Sequence, residues 1–233
     1  MKTILFQGDS ITDCGRYRKA TDKKQSIRVL YSDGKLFKKK TALGEGYPAI
    51  VSAELEKSFP GEHKFYNRGV GGDKITSIYD RMKKDILDLK PDYMSLLVGV
   101  NDVWHRYEFS HVGTSAVKFE ETYDALLSRL KAEFPELKLI IMGPFVLEGA
   151  ATCNRESHPD RFAVFTKEVA QLASIAEKLA EKYNCPYIDL QSIFNEASKN
   201  ISCDKLLSDG VHPTRKGHEI ITQHWLAAFD TIK

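Results

Sequence analysis

A serine stands directly after a short apolar segment near the start of the chain, in the sequence Gly8-Asp9-Ser10. The apolar segment, Thr3 to Phe6, is rich in the residues that favour a strand. Ser10 is therefore expected at a sharp turn where a strand ends. A hydroxyl in that position either caps a helix or acts as a nucleophile, and these residues alone leave both interpretations open.

An aspartate and a histidine lie three residues apart near the end of the chain, as Asp209 and His212. Gly210 lies between them and Pro213 closes the segment, which predicts a loop. A serine nucleophile needs a base to take its proton and a carboxylate to hold that base, and an Asp-x-x-His turn supplies both. The alternative is that Asp209 bonds to its own turn and His212 only precedes a helix.

Glycines and an asparagine in the middle of the chain offer hydrogen-bond donors. Attack on an ester puts negative charge on the former carbonyl oxygen, and fixed N–H groups must stabilise that charge. Gly72 can bring its N–H close because it has no side chain, Asn101 can add its side-chain amide, and the N–H of Ser10 is a third donor. A tight turn at Gly72 and an Asx turn at Asn101 explain the same residues equally well.

The glycine-rich segment does not fit a phosphate-binding loop. Counted from Gly69, the G-x-G-x-x-G pattern needs a glycine where Lys74 stands, and Lys74 does not follow a glycine in the G-K-[ST] form. Ser10 is also outside any G-x-S-x-G elbow, so the common α/β-hydrolase arrangement is unsupported. The sequence therefore argues against a nucleotide-binding function.

Short apolar segments alternate with longer segments of helical periodicity, which predicts βαβ units and a parallel sheet. We identify five strands, at Thr3 to Phe6, Lys64 to Asn67, Tyr93 to Val98, Lys138 to Met142 and Pro186 to Leu190. In an open parallel sheet, ligands bind at the carboxyl ends of the strands. The candidate residues follow the first, second, third and fifth strands, so the sheet is expected to bring them together.

Four segments carry apolar residues at helical spacing and are predicted to pack on the sheet. The first is expected to have Asp73 as its N-cap and to stop before Pro91. The last is expected from near Thr214 to Asp230, with Trp225 in the core. The apolar positions are Ile75, Ile78, Met82, Ile86 and Leu89; Tyr123, Leu127, Leu130 and Phe134; Phe165, Val169, Leu172, Ala176, Leu179 and Tyr183; and Ile221, Trp225 and Ala228.

A basic segment interrupts this alternation between residues 16 and 41. Ten Lys and Arg against two acidic residues occupy positions 16–40. The dipeptide Asp33-Gly34 separates two β-prone stretches, which predicts a hairpin. A solvated insertion that packs on its own domain is favoured over a lid or a subunit contact.

Length and composition restrict the class of protein. A chain of 233 residues with 42% hydrophobic content is expected to form one domain, 1–233, that includes the basic insertion. Its formal net charge of +2 indicates no general attraction to nucleic acid or membrane. Without a signal-like or membrane-spanning segment, we expect a cytoplasmic protein. The cysteines lack a C-x-x-C pair and are predicted to be buried free thiols: Cys14, Cys153, Cys185 and Cys203.

Taken together, Gly8-Asp9-Ser10, Gly72, Gly99-x-Asn101-Asp102 and Asp209-x-x-His212-Pro213 resemble the four sequence blocks of the SGNH, or GDSL, hydrolase superfamily. The resemblance implies a three-layer α/β/α sandwich with a flavodoxin-like, five-stranded parallel sheet in the order 2-1-3-4-5. It also implies a serine esterase that uses neither metal nor cofactor. By this likeness Ser10 is the nucleophile, His212 the base and Asp209 its partner, and Ser10, Gly72 and Asn101 form the oxyanion hole.

A narrower likeness concerns the substrate. The stretches from Gly8 to Arg16, Lys90 to Asp92 and Gly99 to Trp104 are similar to acetylxylan-esterase-like carbohydrate esterases, which implies deacetylation of sugars such as xylo-oligosaccharides. The basic segment departs from that branch. Asp9 is expected to brace the turn or contact substrate, and Trp104 and Tyr107 to stack on a sugar ring or simply pack. Cys14 is expected to be structural.

Two other functions remain as alternatives. One is a lysophospholipase or thioesterase that acts on lipid with the same triad, which a long apolar pocket would favour. The other is a carbohydrate-binding protein with an inactive site, in which the basic segment grips an acidic glycan. The expected partners are a small ester or an acetylated oligosaccharide, with no nucleic acid and no membrane, and a homo-oligomer is possible in any of these cases.

Overall fold

The computed structural model describes residues 1–19, 26–30, 36–108 and 112–233, with the backbone alone at 26–30, 36–40 and 108. The elements in chain order are β1 (Lys2–Gly8), α1 (Ser10–Asp13), β2 (Ser26–Leu30), β3 (Leu36–Thr41), α2 (Tyr47–Ser58), β4 (His63–Asn67), α3 (Ile75–Asp80), α4 (Met82–Asp85), β5 (Tyr93–Leu97), α5 (Val100–Glu108), α6 (Ala116–Glu133), β6 (Lys138–Met142), α7 (Arg161–Lys182), β7 (Tyr187–Ile188), α8 (Leu190–Ser198), α9 (Cys203–Leu206) and α10 (Arg215–Asp230).

The central sheet is parallel throughout the described residues. Its strands lie in the order β4-β1-β5-β6-β7, which is 2-1-3-4-5 when the five are counted along the chain. The predicted sheet and its strand order are confirmed. The third strand ends one residue earlier than predicted, at Leu97. The fifth strand is much shorter than predicted, because the chain enters α8 at Leu190 and leaves two residues, Tyr187–Ile188, to pair with β6.

Both faces of the sheet are apolar and buried. In β1, Leu5 packs toward one core, whereas Ile4 and Phe6 pack toward the other, since successive side chains of a strand point to opposite faces. Helices α3, α6 and α7 cover the first face, and α2, α8 and α10 cover the second. This three-layer arrangement explains why the strands are nearly continuous apolar segments.

Three of the four predicted helices are confirmed, as α6, α7 and α10. The last begins at Arg215, and the side chain of Thr214 caps it by accepting from the N–H of Gly217 at 3.3 Å. Trp225 is fully buried, as predicted, and stacks on Phe229 with 5.3 Å between ring centroids.

The fourth predicted helix, 75–89, is broken into α3, α4 and a 3-10 turn at Leu87–Leu89. The break lies at Arg81, whose guanidinium turns inward to donate to Asp73 at 2.6 Å and to Asp85 at 2.7 Å. The prediction that Asp73 is the N-cap was also wrong, because the carboxylate of Asp73 bonds to Arg81. The cap position is Lys74, and the carboxylate of Asp102 accepts from the N–H of Ile75 instead.

The predicted hairpin in the basic segment is present as β2 paired antiparallel with β3, from Ser26 opposite Thr41 to Leu30 opposite Leu36. The Asp33-Gly34 dipeptide lies outside the described residues. At the base of the segment, the N–H of Tyr17 donates to the carbonyl of Thr41 at 2.6 Å. The segment therefore leaves and rejoins the fold close to α1, the helix that begins with Ser10.

The four cysteines are unpaired, as predicted, but they are half-buried rather than buried. Cys14 lies 3.4 Å from Nε2 of His218, which agrees with a structural thiol. No helix within the described ranges combines the length and the apolar composition that are needed to cross a bilayer.

We predict that Trp225→Ala lowers the free energy of unfolding by about 3–5 kcal/mol, since it removes a fully buried aromatic side chain and leaves a cavity. Trp225→Phe should cost less, because it keeps the ring against Phe6 and Phe229 and also removes an indole N–H that has no partner. Urea unfolding of the two variants measures the difference. Equal losses for Ala and Phe would contradict a packing role.

Candidate active site

Ser10, His212 and Asp209 form one hydrogen-bonded chain. Oγ of Ser10 lies 2.8 Å from Nε2 of His212, and Nδ1 of His212 lies 2.7 Å from Oδ2 of Asp209. With the ring proton on Nδ1, facing the carboxylate, Nε2 is free to accept the serine proton. The sequence separates Ser10 from Asp209 by 199 positions, and the structure brings both together with His212.

The turn that presents Ser10 follows from its neighbours. A side chain at Gly8 would overlap the carbonyl oxygen of Leu97 on the adjacent strand, so only glycine fits where β1 ends. Oδ1 of Asp9 then accepts from the N–H of Ile11 at 3.0 Å and caps α1, which begins at Ser10. The helix-cap role belongs to Asp9, and the hydroxyl of Ser10 is left to bond with His212.

The carboxylate of Asp209 holds both the backbone turn at His212 and the imidazole ring of His212. Oδ1 of Asp209 accepts from the N–H groups of Val211 at 2.9 Å and His212 at 2.8 Å, whereas Oδ2 faces the imidazole. Gly210 has φ +94°, a conformation that side chains disfavour. Asp209 therefore does both things that were posed as alternatives, bonding its own turn and orienting the histidine.

Hydrogen bonds set the direction of the pKa shifts of Asp209 and His212. Burial alone would raise the pKa of Asp209, but bonds from the His212 ring and from the N–H groups of His212 and Val211 outweigh it and lower the pKa to about 2. The bond to Asp209 raises the pKa of His212 above its usual 6.5, burial opposes this, and the charges of Asp209 and Asp9 add to the increase. The carboxylate is thus ionised at neutral pH and stabilises an imidazolium.

Asp9 is 1% exposed. Burial raises its pKa to about 7, against the lowering effect of the bond from Ile11. It is not among the described residues that line the cavity beside Ser10. The geometry therefore supports the bracing role that was predicted for Asp9 and gives no support to its predicted contact with substrate.

One backbone N–H group in the loop after β4, that of Gly72, has no acceptor within the described residues. The N–H groups before and after Gly72 bond to protein acceptors, namely Arg68 to Phe6, Gly69 to Asn67, Val70 to Gly8, Gly71 to Asp13, Asp73 to Val70, Lys74 to Ser77 and Ile75 to Asp102. The N–H of Gly72 donates to no acceptor within the described part of the chain, and neither does that of Ser10. Both are available to an oxygen in the cavity.

Position 72 favours glycine because of its backbone conformation and not because a side chain would be crowded there. The bond from the N–H of Asp73 to the carbonyl of Val70, at 3.1 Å, closes a four-residue turn in which Gly72 is third with φ +85°. This is the value that a type II turn requires at that position. A Cβ on Gly72 would meet only Nε2 of His105, at 3.9 Å. The predicted tight turn and the predicted free donor are therefore the same feature.

Asn101 lies in the first turn of α5, 5% exposed. Its Nδ2 donates to the carbonyl of Asp73 at 3.1 Å, which orients the amide and leaves its second hydrogen for another acceptor. Because Asp73 follows Gly72, this bond also ties α5 to the loop that carries the Gly72 donor. Asn101 is thus a second fixed N–H source beside Ser10.

A cavity of about 440 Å³ opens onto these groups and is lined by Ser10, Gly72, Asn101, Trp104, His105, Arg155 and His212. The ring of Trp104 lies 5.8 Å from that of His212 and 6.4 Å from that of Phe165, so it forms the wall beside the candidate base. Tyr107 is not part of the described lining. Its hydroxyl donates to Glu168 at 2.9 Å. Tyr107 therefore has a partner within the protein, which supports the structural role and not the contact with substrate.

His105 and Arg155 line the cavity without having been singled out as site residues. His105 lies one residue after Trp104 on α5. Arg155 lies in the long connection between β6 and α7, where no motif marks it. Its position depends on how that connection folds back over the strand ends, which periodicity and spacing do not encode.

The geometry predicts different titrations for the half-buried His212 and the buried His218. His212 should titrate above 6.5 because of Asp209, whereas burial and the charges of Arg215 and His212 lower the pKa of His218 to about 4. Asp209→Asn should therefore lower the pKa of His212 and leave that of His218 nearly unchanged. Histidine ring NMR across pH measures both. A His212 pKa that does not fall in the variant would contradict the proposed coupling.

Comparison with known proteins agrees with this geometry. Residues 6–220 match the model of the GDSL-like Lipase/Acylhydrolase family. The chain is 32% identical to an acetylxylan esterase of Geobacillus stearothermophilus, over 96% of this chain and 91% of the relative.

Solved structures give the same result. The acetylxylan esterase Axe2 of Geobacillus stearothermophilus has a TM-score of 0.76 and 29% identity, covering 97% of this chain and 93% of that one. A GDSL-like lipase candidate from Parabacteroides merdae has a TM-score of 0.81 and 30% identity, covering 98% and 95%. The chain therefore belongs to the GDSL-like lipase/acylhydrolase family and is a carboxylic ester hydrolase.

Proposed function

We propose that this enzyme removes acetyl groups from carbohydrate such as xylo-oligosaccharides, through an acyl-enzyme on Ser10. The serine mechanism is supported by one observation. Oγ of Ser10 is bonded to His212, and Ser10 lines the same cavity as Gly72 and Asn101. The acetyl-sugar substrate is supported by the likeness to an acetylxylan esterase along nearly the whole chain.

The first half-reaction forms the acyl-enzyme. Oγ of Ser10 attacks the ester carbonyl while Nε2 of His212 takes the hydroxyl proton. The resulting tetrahedral oxyanion accepts hydrogen bonds from the N–H groups of Ser10 and Gly72 and from Nδ2 of Asn101. His212 then gives its proton to the sugar oxygen as the carbon–oxygen bond breaks, which releases the sugar hydroxyl and leaves acetyl on Ser10.

The second half-reaction returns the enzyme to its starting state. His212 takes a proton from a water molecule, which attacks the acetyl carbonyl of the acyl-enzyme, and the same donors stabilise the second oxyanion. The proton returns to Oγ of Ser10 as acetate leaves. Asp209 stays ionised throughout, in keeping with its low pKa, and stabilises the imidazolium that forms in each half.

The cavity suits a small acyl group next to a sugar. Trp104 lies beside His212, on the side from which the leaving alcohol must receive its proton, and an indole face is a suitable surface for a sugar ring. Gly72 and Asn101, which carry two of the proposed oxyanion donors, line the same cavity. The sugar would therefore contact Trp104, and the acetyl carbonyl would face Gly72 and Asn101.

Hydrolysis of 4-nitrophenyl esters with two, four and eight acyl carbons tests this function. We expect fast turnover of the acetate, a steep decline with chain length and loss of activity in Ser10→Ala, followed by acetate release from acetylated xylo-oligosaccharides. A preference for the eight-carbon ester would favour a lipid acyl hydrolase instead. Activity that survives in Ser10→Ala would remove the serine mechanism.

Asn101→Ala should lower kcat for the acetate ester by about 10²- to 10³-fold, since it removes one donor to the oxyanion. The exposed Asn200, in the turn after α8, offers a matched control, and Asn200→Ala should keep wild-type kinetics. Steady-state rates of the two variants, compared at equal folded fraction, measure the effect. Equal rates in Asn101→Ala and Asn200→Ala would mean that Asn101 does not bind the oxyanion.

A further inference from the structure

We propose that Asp13 is a positioning residue that holds the Gly71-Gly72 turn so that the N–H of Gly72 meets the oxyanion. The proposal rests on the esterase mechanism proposed above. Asp13 does not line the described cavity, and it therefore acts through the turn rather than on the substrate.

Asp13 connects the nucleophile to the turn. It is the last residue of α1, the one-turn helix that begins with Ser10, and its Oδ2 accepts from the N–H of Gly71 at 3.1 Å. Gly71 directly precedes the donor, Gly72. One buried carboxylate therefore links the segment that carries Oγ to the segment that carries the oxyanion N–H.

The turn needs such a restraint. Glycine at both central positions of a turn gives the backbone more accessible conformations than any other pair of residues. In some of them the peptide that joins Gly71 to Gly72 is rotated, and its N–H no longer faces Ser10. An oxyanion donor is effective only when it is fixed within about 0.5 Å of the productive position. The bond from Gly71 to Asp13 selects one conformation in advance.

Neighbouring contacts hold Asp13 itself. The N–H of Arg16 donates to Oδ1 at 3.2 Å, and the guanidinium of Arg18 pairs with Oδ2. Nε of Arg16 also donates to the carbonyl of Gly69 at 2.7 Å, which fixes the start of the glycine loop. Both arginines belong to the beginning of the basic segment. The base of that segment therefore supports the oxyanion loop, whatever its hairpin does.

Kinetics of Asp13→Ala and Asp13→Asn test the proposal. Asp13→Ala should lower kcat and kcat/KM for 4-nitrophenyl acetate together, by about 10²-fold, with KM nearly unchanged, because the lost interaction forms only in the transition state. Asp13→Asn keeps an oxygen that can accept from Gly71 and should lose less. If Asp13→Ala does not fold, Asp13→Asn decides the matter by the same split between kcat and KM.

Asp92 provides the matched control. Its carboxylate also accepts a backbone N–H, from Thr3 at 2.8 Å, and pairs with a cation, Lys2 at 2.9 Å, but it lies at the opposite end of β1. Asp92→Ala should alter thermal stability without changing kcat. Asp13 variants that match the Asp92 variants in kcat, or that change KM alone, would overturn the proposal.

NMR of the Gly71 amide separates this proposal from the proposed function. A hydrogen bond to carboxylate moves that amide proton downfield, and Asp13→Ala should move it upfield. If the wild type hydrolyses no ester, the proposed function fails, and the proposal falls with it even where the Gly71 shift is seen. If the wild type is active and the Gly71 signal is the same in both proteins, Asp13 does not hold the turn and the proposal alone is overturned.

Discussion

Helices cover both faces of the sheet, so polar side chains can leave it only at the ends of its strands. Leu5 on one face and Ile4 and Phe6 on the other are fully buried, and β1 ends at Gly8, where the chain turns to Ser10. Since the strands are parallel, their carboxyl ends lie along one edge. Segments that are remote in sequence, after β1, β4, β5 and β7, therefore meet there.

Carboxylates near this edge differ in pKa because they differ in burial: Asp9 and Asp102 are buried, whereas the side chain of Asp209 is 30% exposed. Asp209 receives three hydrogen bonds from its own turn and its histidine, and its pKa falls to about 2. Burial dominates at Asp9 and at Asp102, and raises the pKa of each to about 7. A permanent charge is thus placed behind His212, whereas the other two carboxyl groups cap and brace backbone N–H groups.

A second network ties the loops to one another below the cavity. Arg81 donates to Gln7 on β1 at 2.9 Å and to Asp73 on the glycine loop at 2.6 Å, and Asn101 on α5 donates to the carbonyl of Asp73. The strand before Ser10, the loop with Gly72 and the helix with Asn101 are thereby joined around one guanidinium. Breaking the helix at Arg81 is the structural cost of this arrangement, and it is the reason that the predicted helix 75–89 does not run through.

The sequence by itself determined the five strands and their parallel sheet, because apolar periodicity is a local property. For the strand order and the roles of Ser10, Gly72, Asn101, Asp209 and His212, the sequence offered only a resemblance to the SGNH superfamily, since the spacings alone left other interpretations open. It did not determine the break at Arg81, the cap on α3, the burial of Asp9 or the bond from Tyr107 to Glu168, since each depends on a side chain brought from elsewhere. His105 and Arg155 reach the cavity for the same reason. Tertiary packing alone decided which polar groups were already bonded to protein, and so which N–H groups near the cavity, those of Gly72 and Ser10, have no acceptor within the described residues.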